Sequence, residues 1–343
     1  MKNTLLKLLY VIAYHIRIFK LFYSIRKKHQ QIVLTYHNVI SDDIFDDDII
    51  HLGVSCSENA FIKQLNIILS RFDITTEIGI PGTCIISFDD GYRNNIEIAA
   101  HLLNAKNVSG LFFVPAAYFD NHQILWVDQL LMWVSYAPVG TYSILGNTFV
   151  ITNDVNSRRL LWKSIYKGIL SNYPRLESLI EDLNKNYQFG NFEKIINSKM
   201  YQLRFKPMTI EELDKMKKMG HKLGCHSYKH DVLSLLSDAQ LEYDFSMCAL
   251  HLKKYNTNLY SYPFGGENEI SHHVINKCKK YGYSAAFLNY EKENQNIYTL
   301  GRTSLDNLQD KYFIEARLCG FESCLKKLIS KFKRFKKWQL AHS

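Results

Sequence analysis

The chain lacks a paired cysteine framework: its seven cysteines, Cys56, Cys84, Cys225, Cys248, Cys278, Cys319 and Cys324, are odd in number, and no two stand in Cys-x-x-Cys spacing. A disulfide-stapled secreted domain and a thiolate zinc site are both poor fits. Reduced, mostly buried thiols in the cytoplasm are the expectation. No apolar run is long enough to cross a bilayer, which needs about 20 residues. Leu5 to Tyr23 is rich in Leu, Ile and Phe, yet Lys7, Arg17 and Lys20 interrupt it and leave Leu8 to Ile16 as its longest uncharged stretch. No small-residue cleavage site follows, so a cleaved signal peptide is not expected. Internal repeats and low-complexity tracts are lacking as well.

Acidic residues are missing from both ends. Residues 1–30 and 326–343 each hold seven Lys or Arg and no Asp or Glu; with a net charge of +9 overall, the body between them carries about −5. That distribution excludes a basic nucleic-acid groove in the domain itself and directs the termini toward anionic surfaces. Near the C-terminus, Leu325, Leu328, Ile329, Phe332 and Phe335 recur at helical spacing among Lys326, Lys327, Lys331, Lys333, Arg334, Lys336 and Lys337. Such a helix either lies on an anionic membrane or packs on the domain through the same stripe. Peripheral contact with the inner membrane face is the expectation carried forward.

Hydrophobic residues make up 47 % of the 343 and aromatics 13 %, enough for one large core or two modest ones. Ile32–Tyr36, Thr83–Phe88 and Gly110–Val114 read as strands, and Glu58–Leu69 and Asn95–Leu103 as helices. This βαβα order predicts a parallel sheet or barrel with its site at the strands' C-terminal ends. Periodicity alone leaves an open doubly wound sheet standing beside a barrel. Residues 120–206 interrupt the rhythm with Trp126, Asp128, Trp133, Trp162, a hairpin through Thr141–Ile151 and a helical stretch Ser157–Leu183. We expect an inserted cap along a substrate cleft, with Trp126 and Asp128 its residues to test, although a tryptophan here equally suits ordinary core packing. At Thr209 the rhythm resumes, with Glu212 completing a capping box. The expected divisions are a basic N-terminal segment 1–30, a body 31–312 and a basic tail 313–343.

The chemistry concentrates in two motifs. Asp89 and Asp90 end an apolar strand in Ser87-Phe88-Asp89-Asp90-Gly91-Tyr92. Adjacent carboxylates repel and are costly to desolvate unless a cation or a proton-transfer role awaits them. Far downstream, His226-Ser227-Tyr228-Lys229-His230 supplies two imidazoles that a helical turn or a tight loop would bring together. One carboxylate with His226 and His230 gives three protein ligands for a divalent cation and leaves positions for water and substrate. Neighbours on an extended backbone point opposite ways, so spacing does not say which Asp is the ligand.

These motifs, followed by Tyr262-Pro263-Phe264-Gly265, resemble in sequence and in order those of the polysaccharide deacetylases, carbohydrate esterase family four with the NodB homology domain. Leu34-Thr35-Tyr36-His37, Gly110 to Val114, Met208 to Gly224 and Gly282 to Ala286 extend the likeness over most of the chain. The resemblance implies an α/β fold, a distorted, incomplete (β/α)7 barrel with the cap segment inserted. It implies Asp89 as general base, Asp90, His226 and His230 as metal ligands, a metal-bound water as nucleophile, and the Phe264 N–H as donor to the oxyanion, with Tyr262 and Pro263 beside it as oxyanion or substrate residues. The cofactor is one divalent ion, zinc first, although cobalt, nickel, manganese and iron accept similar ligands.

Two departures from the commoner family pattern stand out. No arginine precedes Pro263, so Arg302 is the expected partner of Asp89, although a surface arginine in a turn would read the same. The usual C-terminal Leu-x-His is missing, and His37 of the Tyr36-His37 pair is the expected general acid, as in permuted biofilm-polysaccharide deacetylases. The expected activity is N-deacetylation of an amino sugar in a surface polysaccharide or lipid-linked glycan precursor, with the N-acetylated glycan as partner and no nucleic acid. A hydrolase of small cyclic amides on the same scaffold, and a glycan-binding protein without catalysis, are the alternatives.

Overall fold

The structure, a computed structural model, describes residues 2–47, 55–121, 124–144, 146–171, 199–292 and 296–342, with 181, 185 and 197 singly. Seven parallel strands, β1 (Ile32–Tyr36), β2 (Thr83–Phe88), β3 (Leu111–Val114), β4 (Lys222–Cys225), β5 (Leu259–Ser261), β6 (Ala285–Phe287) and β7 (Thr303–Ser304), run in the order β6-β5-β4-β3-β2-β1-β7. The two-residue strand Asp73–Ile74 pairs beside the start of β2. The sheet curls into a half-barrel surrounded by helices, the incomplete (β/α)7 form. Its central strands β1, β2 and β3 are mostly apolar and buried because both faces are covered. Val33, Ile85, Leu111, Phe113, Leu259, Ala285 and Phe287 fill one side, while the alternate residues Leu34, Ile86 and Phe112 pack into the larger cluster that includes the helices.

Register brings the strand ends level. Tyr36 pairs with Phe88, and Val114 with Cys225, so His37, Asp89 and His226 all leave the sheet at the same edge. The Asp89 N–H continues the ladder by donating to the Tyr36 carbonyl at 2.9 Å.

The helices are α1 (Lys2–His15), α2 (Ile18–His29), α3 (Glu58–Leu69), α4 (Trp126–Tyr136), α5 (Val155–Ser171), α6 (Ile210–Lys218), α7 (Asp238–Leu252), α8 (Lys311–Leu318) and α9 (Phe321–His342), besides shorter turns. Thr209 and Glu212 form the expected reciprocal cap on α6. The expected helix Asn95–Leu103 opens instead as a π-helical segment, Asn95–Ala100, before a last α-turn to Asn104. In the inserted segment, α4, α5 and an antiparallel hairpin of Gly140–Ile144 with Asn147–Ile151 build a second core around Leu130, Trp133, Leu161 and Ile165. Of the expected helix Ser157–Leu183, residues 172–180 and 182–183 lie outside the described residues.

Both termini join the main core. Tyr10, Ala13, Phe19 and Tyr23 are buried in it, and the rings of Tyr10, Phe19 and Phe22 meet Phe321 at 6.0, 5.3 and 5.3 Å. Tyr23 donates to the Glu315 carboxylate at 2.6 Å, and Arg26 donates to the Leu318 carbonyl at 2.9 Å. All seven cysteines are free thiols, six of them buried. Among the described residues no helix is long and apolar enough to cross a membrane.

Candidate active site

The backbone is bent into place before any side chain acts. Asp90, Ser227, His230 and Phe264 all have positive φ, between 60° and 70°, a region costly for residues other than glycine. The ligand-bearing segment after β4 is therefore a loop and not a helical turn. His230 N–H donates to Ser227 Oγ at 2.9 Å, the Ser227 and Tyr228 carbonyls accept from Ala116 and Ala117, and Tyr228 N–H donates to the buried Asp244 carboxylate at 2.9 Å. These bonds hold the strained loop.

Asp90, His226 and His230 come together, all buried, with one ligand atom from each lying within 4.8 Å of the others. Asp90 Oδ1 stands 3.2 Å from both His226 Nε2 and His230 Nε2. His226 Nδ1 lies 2.8 Å from the Ser261 carbonyl, which can only accept, so the proton sits on Nδ1 and the Nε2 lone pair faces Asp90. Asp90 Oδ1 itself is buried without a hydrogen-bond partner. Buried acceptors turned on one another repel, and a divalent cation resolves the conflict. The donor set of two imidazoles and one carboxylate fits such an ion. Burial pushes the His226 pKa down, but Asp89 and Asp90 raise it further, so a proton and a cation compete for the same lone pair.

Asp89 is held by Arg302 through a two-pronged ion pair, Nη1 to Oδ1 at 2.8 Å and Nη2 to Oδ2 at 2.5 Å. Arg302 is fully enclosed: Nε donates to the Leu288 carbonyl, Nη1 also to Ser87 Oγ and Nη2 also to Ser261 Oγ. Burial raises the Asp89 pKa, but Arg302, His226 and His37 outweigh it and keep the carboxyl below its ordinary value. Ser261 serves both halves of the site, its carbonyl orienting His226 and its hydroxyl donating to Asp89 Oδ2 at 3.2 Å. Sequence reading passed over it, although it ends β5 two residues before Pro263.

Phe264 occupies a tight turn in which Gly265 N–H donates to the Pro263 carbonyl at 2.6 Å. Its own N–H makes no hydrogen bond among the described residues. Gly265 is needed there, because a Cβ would lie 2.6 Å from the Asn289 nitrogen and φ is +56°. The Phe264 ring packs on His230, Trp126 and Tyr166 at 4.8, 5.8 and 5.7 Å, so the inserted segment reaches the metal ligands. Trp126 Nε1 donates to the His230 carbonyl at 3.1 Å. Tyr262 points into the core and donates to the Tyr298 carbonyl. Asp128 is buried beside the site, both its oxygens accepting from Tyr92; burial, then Asp90, raises its pKa well above the ordinary value.

His37 is half-buried where β1 ends beside Asp89. Among the described residues its ring has no hydrogen-bond partner. Burial lowers its pKa below the ordinary imidazole value against the opposing pull of Asp90 and Asp89.

The polysaccharide deacetylase family model matches residues 79–286. No curated protein sequence matches significantly. Among solved structures, a de-N-acetylase from Aggregatibacter actinomycetemcomitans superimposes with a TM-score of 0.50 at 14 % identity, covering 83 % of this chain and 98 % of that one. IcaB from Ammonifex degensii gives 0.48 at 16 % identity over 84 % and 96 %. The deacetylase PplD of Streptococcus pyogenes, in complex with acetate, gives 0.47 at 12 % over 80 % and 91 %. The family match spans more than half of the sequence and includes both carboxylates, both imidazoles and the Phe264 turn, so this chain belongs to the polysaccharide deacetylase family, hydrolases of carbon–nitrogen bonds.

Proposed function

We propose that the protein is a metal-dependent N-deacetylase that removes acetyl groups from N-acetylated amino sugars of a surface polysaccharide or lipid-linked glycan precursor, acting from the cytoplasm. The observation that carries this reading is the buried, unpartnered Asp90 Oδ1 facing two imidazoles beside a second carboxylate kept ionised by Arg302. Six buried free thiols are consistent with a reducing compartment. The body 31–312 is the catalytic unit, with 120–206 its cap.

Asp90, His226 and His230 would hold the ion, zinc first by donor type. When bound, it supplies a Lewis acid that makes water acidic near neutral pH and polarises an acyl oxygen. Asp89, ionised and clamped, accepts the proton of the attacking water. The unpaired Phe264 N–H donates to the acyl oxygen as negative charge gathers there. His37 gives a proton to the departing amine nitrogen as the carbon–nitrogen bond breaks, leaving acetate and a free amino sugar. Tyr166, half-buried against Phe264, offers an aromatic surface for a sugar ring, while Trp126 is buried against Phe264.

Acetate release from N-acetylated glucosamine oligomers, with Asp89→Asn as control, tests the proposal. Release by the parent and at least about a hundredfold loss in the variant is the expected result. A parent that binds the oligomers and zinc but never releases acetate would instead establish a glycan-binding protein.

A further inference from the structure

Helices α1 and α2 each bury one face and leave the other bare. Toward the domain they present Tyr10, Ala13, Phe19 and Tyr23. Away from it, α1 shows Leu5, Leu8 and Ile12, the turn after it Ile16, and α2 Leu21 and Ile25, all between 48 % and 71 % exposed. The C-terminal helix behaves alike: Phe321 and Leu325 pack on the core, after which every residue from 326 to 332 is exposed, including Leu328, Ile329 and Phe332. The two ends of the chain thus meet at Phe321, and each displays bare aliphatic side chains that a water-facing surface does not explain.

Charge identifies what covers them. Arg17, Lys20, Lys28 and Lys331 are exposed among these residues, and neither terminal segment contains an acid. A second copy of the chain would set like charges against one another, Arg17, Lys20, Lys28 and Lys331 among them. A nucleic acid would answer the charge and leave the aliphatic side chains in water. An anionic bilayer answers both, with phosphate headgroups for the cations and acyl chains for Leu, Ile and Phe. We infer that α1, α2 and the protruding part of α9 form a docking platform for an anionic lipid bilayer, fastened to the catalytic body through the Phe321 cluster. This goes beyond the deacetylase reading and does not depend on it.

The test is sedimentation of the full chain with vesicles of phosphatidylcholine alone or mixed with phosphatidylglycerol, at about 50 mM and about 500 mM salt. Pelleting with the phosphatidylglycerol vesicles, weaker at high salt, is expected. The double variants L8E/I12E and I329E/F332E should each reduce the bound fraction about tenfold with unchanged circular dichroism. Acetate release from a soluble oligomer, assayed without vesicles, should be unaffected, which separates failure here from failure of the enzymatic reading. Three results overturn the inference: no pelleting with either vesicle, equal pelleting with both, or a dimer by sedimentation equilibrium that the glutamate variants convert to monomer.

Discussion

Arg302 and Asp89 are 213 positions apart and meet as a buried fork, two guanidinium nitrogens on two carboxylate oxygens. A lysine would keep the charge and lose the second prong. Arg302→Lys should lower kcat for acetate release by roughly 10- to 100-fold with little change in KM. Because the fork depresses the Asp89 pKa, weakening it should also move the acid limb of the pH–rate profile upward. An unshifted limb with parental kcat would remove Arg302 from the catalytic account.

His37 is separated from a merely structural role by the leaving group. An amine departs only with a proton, whereas an activated aryl acetate releases a phenolate that needs none. His37→Gln should lose about 10²- to 10⁴-fold on N-acetyl sugars and keep most of its aryl acetate activity. Equal losses on both substrates would contradict the acid role.

Trp126 ties the inserted segment to the metal loop through the His230 carbonyl. Trp126→Phe removes that bond and keeps the ring, and zinc affinity by chelator competition should fall about 10-fold. Unchanged affinity would confine Trp126 to packing.

Asp244 makes stability depend on pH. Burial raises its pKa to about 7, with Tyr228 N–H working against burial and Asp231 with it. The native carboxyl therefore holds its proton over a range, from about 4 to about 7, in which the unfolded one has lost it. Stability from this group is full below that range and is lost as pH rises through it. Thermal melts of Asp244→Asn should show a flatter decline between those limits; a decline identical to the parent's would place its origin elsewhere.

Much of this arrangement was legible in the chain. Asp89-Asp90 and His226 with His230 are contiguous motifs, and β1 and β2 were readable because strands covered on both faces are mostly apolar. Arg302 could be nominated for Asp89 only through the family likeness, since its reach depends on the curl of the sheet. The histidine spacing did not distinguish turn from loop, because positive φ at Ser227 and His230 is imposed by tertiary bonds. Ser261 and Asp244 act through a backbone carbonyl and on backbone N–H groups, contacts that leave no mark in composition or spacing. The convergence of both termini on Phe321 is likewise tertiary: each stripe was visible, their meeting was not.

The most direct measurement is zinc stoichiometry with acetate release, made on chelator-stripped and reconstituted parent and on Asp90→Asn. The account predicts about one zinc per chain in the parent, activity that returns with it, and a variant that neither retains the ion nor releases acetate. An Asp90→Asn protein that still binds zinc stoichiometrically, or a stripped parent that remains fully active, would contradict it.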